Sequence, residues 1–204
     1  MIILIIGVVL VFNVKFDISG VDKLCDKLKK DLQSVKGAKA GVLKNTAYPP
    51  KENKNKDPNK KEVKKSQKTL KVWENALIQE YGAVIPVTKK MRGWFLAQGF
   101  PLKKSTTEII IPPRPFLRKA LKNQKVWAKY VNEMFDANQD GHMTLYKIAK
   151  NIAEMMQDDI QEAISSNIPP ENSEITKKNK RGSSRTLMDT GLLRSSILGA
   201  VIKK

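Results

Sequence analysis

The chain has 204 residues, enough for one ordinary domain with appendages, and a hydrophobic fraction of 41%, enough for a real core. Its formal charge of +18 suits a polyanionic partner, either nucleic acid or an acidic protein surface, and equally suits a merely soluble lysine-rich protein. A single cysteine, Cys25, and a single histidine, His142, exclude a disulfide framework and a cysteine-based metal cluster, and neither has the context of a Cys–His pair or a serine triad.

The charge is uneven: +4 over residues 1–50, +6 over 51–71, +3 over 72–167 and +5 over 168–204. The middle therefore reads as a nearly balanced globular body with basic appendages. Residues 1–12 form an apolar N-terminal extension, too short to span a bilayer as a helix and without the flanks of a signal peptide, so no membrane partner is expected. Three readings stay open for it: the start of a strand, a segment touching a membrane, or an upstream in-frame extension. A strand is expected over Val11–Ile18. Ser19 then caps a helix from about Val21 to Val35 with Gly37 as its stop, and Ala40–Leu43 is a short strand ended by Asn45 and Pro49-Pro50.

Residues 51–71 hold nine lysines and three acids and almost nothing apolar. This composition predicts a flexible insert, with salt-dependent phosphate contact as its functional reading and plain solvation as the other. It lacks the interleaved aromatics of a base-stacking surface. The single domain therefore comprises 13–50 and 72–204. Val72–Tyr81 reads as a helix with Trp73, Leu77, Ile78 and Tyr81 inward, ended by Gly82. Val84–Val87 is a strand, Lys89–Ala97 a helix capped by Thr88, and Leu102–Ile111 a returning strand. Together they make an elaborated hairpin.

The hairpin feeds Ile109-Ile110-Ile111-Pro112-Pro113-Arg114-Pro115-Phe116-Leu117-Arg118. Pro112 and Pro113 stop the strand, because neither can donate to a ladder, and Pro115 suits the first turn of a helix. Phe116, Leu117, Ala120, Leu121, Trp127, Val131, Met134 and Phe135 fall on one helical stripe. The prolines define a corner. Arg114 and Arg118 at the bend either brace it or face a partner.

Asp136, Asn138, Asp140 and Gly141 occupy the first, third, fifth and sixth positions of an EF-hand loop, but Lys147 stands where a bidentate glutamate belongs. A lysine there removes two ligand oxygens and adds a positive charge, so the segment reads as a polar turn between helices, and no metal or other cofactor is expected. Leu145–Ser166 is a long helix with Leu145, Ile148, Ala149, Ile152, Met156, Ile160 and Ile164 on its buried face. Glu154, Asp158, Asp159 and Glu162 lie on its outer half, either as a solvated face or opposite a neighbour's basic patch. Asn167-Ile168-Pro169-Pro170 precedes a basic stretch containing Lys177, Lys178, Lys180 and Arg181. Asp189-Thr190-Gly191 is a turn with a capping side chain, Leu192–Ser196 a helical turn carrying Arg194, and Ile197–Ile202 a closing strand. An Asp-Thr-Gly triplet also occurs in aspartic proteases, but here it has no second copy to complete a carboxylate dyad. The order of elements argues an α+β fold, a small mostly antiparallel sheet packed against two long helices.

Three of these stretches carry a likeness. Ile111–Arg118 resembles the "I-P-x-R-P-F-hydrophobic-R" signature of tail-completion or neck proteins of tailed bacteriophages. Gln79-Glu80-Tyr81-Gly82 matches three of four positions of that family's "N-E-[FY]-G" element, and Val87–Phe95 is similar to an insertion in some members. Asn167–Pro170 and Leu187–Ile197 resemble its "N-x-P-P … T-x-x-x-K … L-[IM]-D-T-G-x-L-x-x-S-I" ending, with Ile175-Thr176-Lys177-Lys178 a loose fit to the middle piece. The lysine-rich insert has no counterpart. The resemblance implies a structural, non-enzymatic virion protein of a phage or prophage, located at the neck and in the host cytoplasm during assembly. It would form a homo-oligomeric ring around the DNA channel, beside connector or head-closure proteins and tail-terminator or tail-tube proteins. Arg114, Arg118, Arg194, Lys177, Lys178, Lys180 and Arg181 would then be interface or DNA-contact candidates. The alternative is a sequence-independent nucleic-acid-binding protein using the insert and the basic C-terminal stretch.

Overall fold

The structure, a computed structural model, describes residues 7–11, 34–42, 71–136 and 143–203. In chain order the elements are β1 (Gly7–Val11), β2 (Val35–Val42), α1 (Val72–Tyr81), β3 (Ala83–Pro86), α2 (Lys89–Ala97), β4 (Glu108–Ile111), α3 (Phe116–Ala120), a 3₁₀ turn (Leu121–Asn123), α4 (Gln124–Asp136), α5 (Leu145–Ser165), α6 (Glu174–Asn179), α7 (Leu192–Ser195) and β5 (Ile197–Lys203). The fold is α+β, with one three-stranded antiparallel sheet in the order β1-β2-β5 and a separate β3–β4 hairpin.

Helix α5 is the spine. Thr144 starts it by accepting the Lys147 N–H at 3.2 Å, a side-chain cap of the expected kind. All seven apolar residues of its predicted face are buried, with Ala153 and Ala163 filling the stripe. That face lies on β2 and β5. Ala38, Ala40 and Val42 point into the contact and are buried. Small side chains on the strand let the helix axis come close. At β5 the approach is closer still: a Cβ on Gly199 would fall 2.2 Å from the Ala153 carbonyl oxygen. Two glutamines of α5 fasten the strand, Gln157 Oε1 accepting the Gly199 N–H at 2.7 Å and Gln161 Nε2 donating to the Ile197 carbonyl at 3.4 Å. These bonds occupy backbone groups that an unpaired strand edge leaves open.

Several expectations need correction. The helix expected to run through Val35 gives way to strand, since β2 begins at Val35 and pairs with Lys203 and Ile202 across a register shift at Gly37. The helix-stop signal of Gly37 is a strand irregularity instead. Within the apolar run Gly7–Val11 is strand, as the first of its three readings expects, while the rest of the strand expected over Val11–Ile18 falls in residues 12–33, which with Cys25 lie outside the described residues. The return strand is only Glu108–Ile111. Arg92 accounts for the rest of it, because its guanidinium donates to the carbonyls of Lys103 (2.9 Å), Lys104 (3.3 Å) and Thr106 and holds that stretch as a loop. The helix expected from Pro115 to Phe135 is interrupted by the 3₁₀ turn. Finally, α4 packs chiefly on α5 rather than on the sheet, tied by the Trp127 indole N–H to Asp159.

Gly199→Ala should therefore cost about 3 kcal/mol, because the atoms in its way are backbone and one of two elements must shift. Gly93, inside α2, has open space around its missing Cβ; Gly93→Ala should stabilise by about 0.5–1 kcal/mol through helix propensity alone. Urea unfolding midpoints of the two variants check both signs.

Candidate functional site

The stripe of α1 that turns inward is Val72, Ala76 and Glu80, all buried, while Tyr81 is 67% exposed. The expectation of an inward Tyr81 is thus overturned, and a carboxylate sits where an apolar side chain was expected. The reason is the start of α3. Its first turn has no local side-chain cap, since Pro115 precedes it, and its orphan N–H groups need an acceptor. Glu80 supplies one from 37 residues away: its carboxylate accepts the N–H of Leu117 at 2.9 Å and of Arg118 at 3.3 Å. A negative charge there also complements the helix dipole. Arg118 closes the arrangement, with Nε 3.0 Å from Glu80 Oε1, Nη2 2.7 Å from the Glu80 carbonyl oxygen and the guanidinium 5.4 Å above the Tyr81 ring.

Arg114 braces the other side of the bend. Its backbone N–H donates to the Gln79 carbonyl at 2.6 Å. Its Nε donates to Pro170 O (3.0 Å), Nη1 to Gln79 Oε1 (3.3 Å) and Nη2 to Glu171 O (3.2 Å). The residue is 6% exposed, and burial pushes its pKa below the usual arginine value. Arg114 therefore does not face a partner; it is buried as the fork that holds three backbone segments together. Gly82 permits the fit. It has φ +79°, and a Cβ there would lie 2.8 Å from the Ile111 carbonyl oxygen and 3.2 Å from Pro113. Phe116 is fully buried beneath the corner, Pro112 and Pro115 are half-buried, and Pro113 is exposed.

The C-terminal stretch is built on the same corner. Asn167, at φ +51°, accepts the Thr186 N–H at 2.9 Å and the Thr186 hydroxyl at 3.3 Å. Asn172 Nδ2 donates to Ser184 O at 2.9 Å. Asp189 accepts the Arg181 N–H at 2.7 Å, so its side chain fastens the incoming loop rather than capping α7, which follows Gly191 at φ +78°. Thr190 is exposed between them. Lys180 donates to the carbonyls of Arg185 and Met188. Burial lowers its pKa, with the Arg114 charge acting in the same direction and Asp189 against them. Lys177 bonds Glu174 (3.1 Å) and Glu171 (3.3 Å), and these bonds, Glu174 first, raise its pKa. Lys178 donates to Gln98 O at 3.2 Å and lies 5.5 Å from the Phe100 ring. Arg181 and Arg194 are exposed. Of the cations expected at an interface, then, Arg114 and Lys180 are internal braces, Lys177 and Lys178 are engaged, Arg118 is half-exposed, and Arg181 and Arg194 face outward.

Between the hairpin and this stretch opens a cleft of about 800 Å³, with Phe95, Leu102, Ile109, Leu187 and Leu192 as apolar walls and Asn75, Asn172 and Asp189 among its polar groups. All three motif regions border it. Among the described residues no group of three His, Cys, Asp or Glu side chains could hold a metal, and no helix is long and apolar enough to cross a membrane. In the EF-hand-like segment, Asp136 is an exposed end of α4 and Lys147 lies in the first turn of α5. Asn138, Asp140 and His142 lie outside the described residues, as does the lysine-rich insert up to residue 70. No family model, curated protein or solved structure matches the chain.

The sequence reading missed Glu80 as the centre of the corner. The signal was present in the four-residue spacing Val72, Ala76, Glu80, which puts a charged residue on the buried stripe. It also missed Arg92, whose role depends on carbonyls more than ten residues away.

Glu80→Ala should cost about 2–3 kcal/mol, since two helix N–H groups and a guanidinium lose their acceptor. Arg114→Lys should cost about 2 kcal/mol, because an ammonium cannot reproduce the fork. Arg194→Ala should stay within about 0.5 kcal/mol. Urea denaturation distinguishes this pattern from the one expected if Arg114 were a partner contact, in which Arg114→Lys would leave stability untouched.

Proposed function

We propose that the chain is a structural protein of a tailed phage or prophage virion, acting in tail completion or head–tail joining as a homo-oligomeric ring around the DNA channel. One observation carries the reading. The three stretches that resemble neck proteins lie far apart in sequence, yet Gln79–Gly82, Ile111–Arg118 and Asn167–Pro170 bond directly to one another through Glu80 and Arg114. Their polar groups are turned to backbone partners, as in a scaffold, and among the described residues no acid, base and nucleophile are gathered together. Large exposed apolar side chains at Tyr81, Val84, Trp94, Leu96 and Ile110 fit a protein whose surface is covered in an assembly. By the same likeness its neighbours are connector or head-closure and tail-terminator or tail-tube proteins.

A second reading has its own support. From Ala83 to Thr107 there are five cations and no acid, and Trp94 among them is 48% exposed, which fits a sequence-independent nucleic-acid surface. Light scattering of the purified chain at low and moderate salt, with and without short duplex DNA, separates the two. A closed oligomer that persists at moderate salt without DNA is the expected result. A chain that associates only on DNA, and releases it as salt rises, favours the second reading.

A further inference from the structure

We propose that the ring contact, resting on the assembly reading above, is heterologous: the outer surface of the β3–β4 hairpin and α2 seats on the acidic outer face of α5 of a second copy. Four observations lead there. The first is apolar exposure. Val84 and Ile110 are cross-strand partners, so their side chains share one face of the hairpin; they are 60% and 67% exposed, and Trp94 and Leu96 on α2 are 48% and 65% exposed. Val84 and Ile110 form one exposed apolar pair on the hairpin, and Trp94 and Leu96 add exposed apolar area on the helix that the hairpin carries, more than a free surface element needs.

The second is rigidity. Arg92 locks the Lys103–Thr106 loop through three carbonyls, the Val87 N–H extends the ladder to Thr107 O at 2.8 Å, and Thr88 caps α2 at 3.2 Å. A surface ordered before contact loses little entropy on docking.

The third is charge. Lys89, Lys90, Lys103 and Lys104 are exposed, and no carboxylate among the described residues pairs with them. Packing hairpin against hairpin about a two-fold axis would set these lysines against their copies, so the complement lies elsewhere. Duplex DNA would match the lysines but leave Val84, Leu96 and Ile110 uncovered.

The fourth is where the complement is. Glu154, Asp158 and Glu162 stand four residues apart on one exposed stripe of α5. No Lys or Arg occurs between residues 151 and 176. Glu154 is paired with Lys150 at 3.6 Å; Asp158 and Glu162 have no cation partner among the described residues. The Trp127–Asp159 bond sets the start of α4 beside this stripe, where Val126 is 58% exposed. On that side α4 adds Lys125 and Lys129, the latter paired with Glu133 at 3.4 Å. Two different surfaces of one chain joined head to tail form a ring when the rotation closes.

The test is association of the full chain, measured by light scattering across protein concentration, with urea midpoints as a folding control. Lys89→Glu with Lys90→Glu should weaken association by about tenfold or more, and so should Asp158→Lys with Glu162→Lys. All four changes in one chain restore both charge complementarity and the native net charge, and should recover most of the loss. Trp94→Ser with Leu96→Ser should also weaken association while leaving the urea midpoint in place. If the native chain forms a ring and these variants form it equally well, the hairpin–α5 contact is wrong and the ring reading stands. Failure of the four-fold variant to recover overturns the pairing of these two surfaces. A native chain that is monomeric at every concentration overturns the ring and this contact together. Association that requires duplex DNA overturns it in favour of a polyanion surface.

Discussion

A carboxylate buried at the start of α3 is the constraint on which the rest of the corner depends. Glu80 cannot be removed from water without partners, since an unpaired buried charge costs several kcal/mol. It finds two backbone N–H groups and a guanidinium, and in doing so fixes where α1 ends relative to where α3 begins. That relation sets the exit of β3 and the return of β4, because Gly82 and Ile111 flank the same contact. Arg114 then reaches across to Pro170 and Glu171. The C-terminal stretch is thereby positioned by a residue some 56 places earlier in the chain, and the cleft between hairpin and C-terminus is a consequence of that bond.

The second constraint is steric rather than electrostatic. Helix α5 covers a sheet whose facing residues are Ala38, Ala40 and Gly199. Small residues bring strand and helix backbones together, and the N–H and C=O groups at the strand edge come within reach of Gln157 and Gln161. Hydrophobic burial supplies the driving force and the glutamines satisfy what burial leaves exposed. The corner and the sheet meet through α3 and α5, where Phe116, Leu117 and Ala120 join the core that Ile148 and Ile152 begin.

How much of this was legible follows from the range of each interaction. Helix α2 and its Thr88 cap, α5 and its apolar face, and the closing strand are local signals, and periodicity with capping chemistry fixes them. The return strand failed because Arg92 takes the carbonyls of 103–106 from eleven to fourteen residues away. Gly37 failed because the same residue marks a helix stop in one context and a strand irregularity in another. The corner was legible as a corner from its prolines, but not the direction of its arginines. Whether Arg114 faced inward was decided by carbonyls at 170 and 171, which no local pattern announces. Glu80 was hidden by the expectation that an inward stripe is apolar, although its spacing was correct.

The cations divide into two populations, and the division bears on function. Arg92, Arg114 and Lys180 are turned onto backbone carbonyls, so their charge is used to order loops. Lys89, Lys90, Lys103 and Lys104 remain exposed on the hairpin that Arg92 orders. A chain whose basic residues were only an average of a lysine-rich composition would not need a buried guanidinium such as Arg114, because lysines scattered in solvent satisfy solubility without desolvation. Here one cation turned onto carbonyls, Arg92, stiffens the element that carries the external ones. Stiffening is costly where a surface has nothing to meet, and it is favourable where a rigid surface must match another. The arrangement therefore argues for contact with a defined surface more than for loose attraction to any polyanion, and the apolar side chains set among the exposed lysines argue the same way.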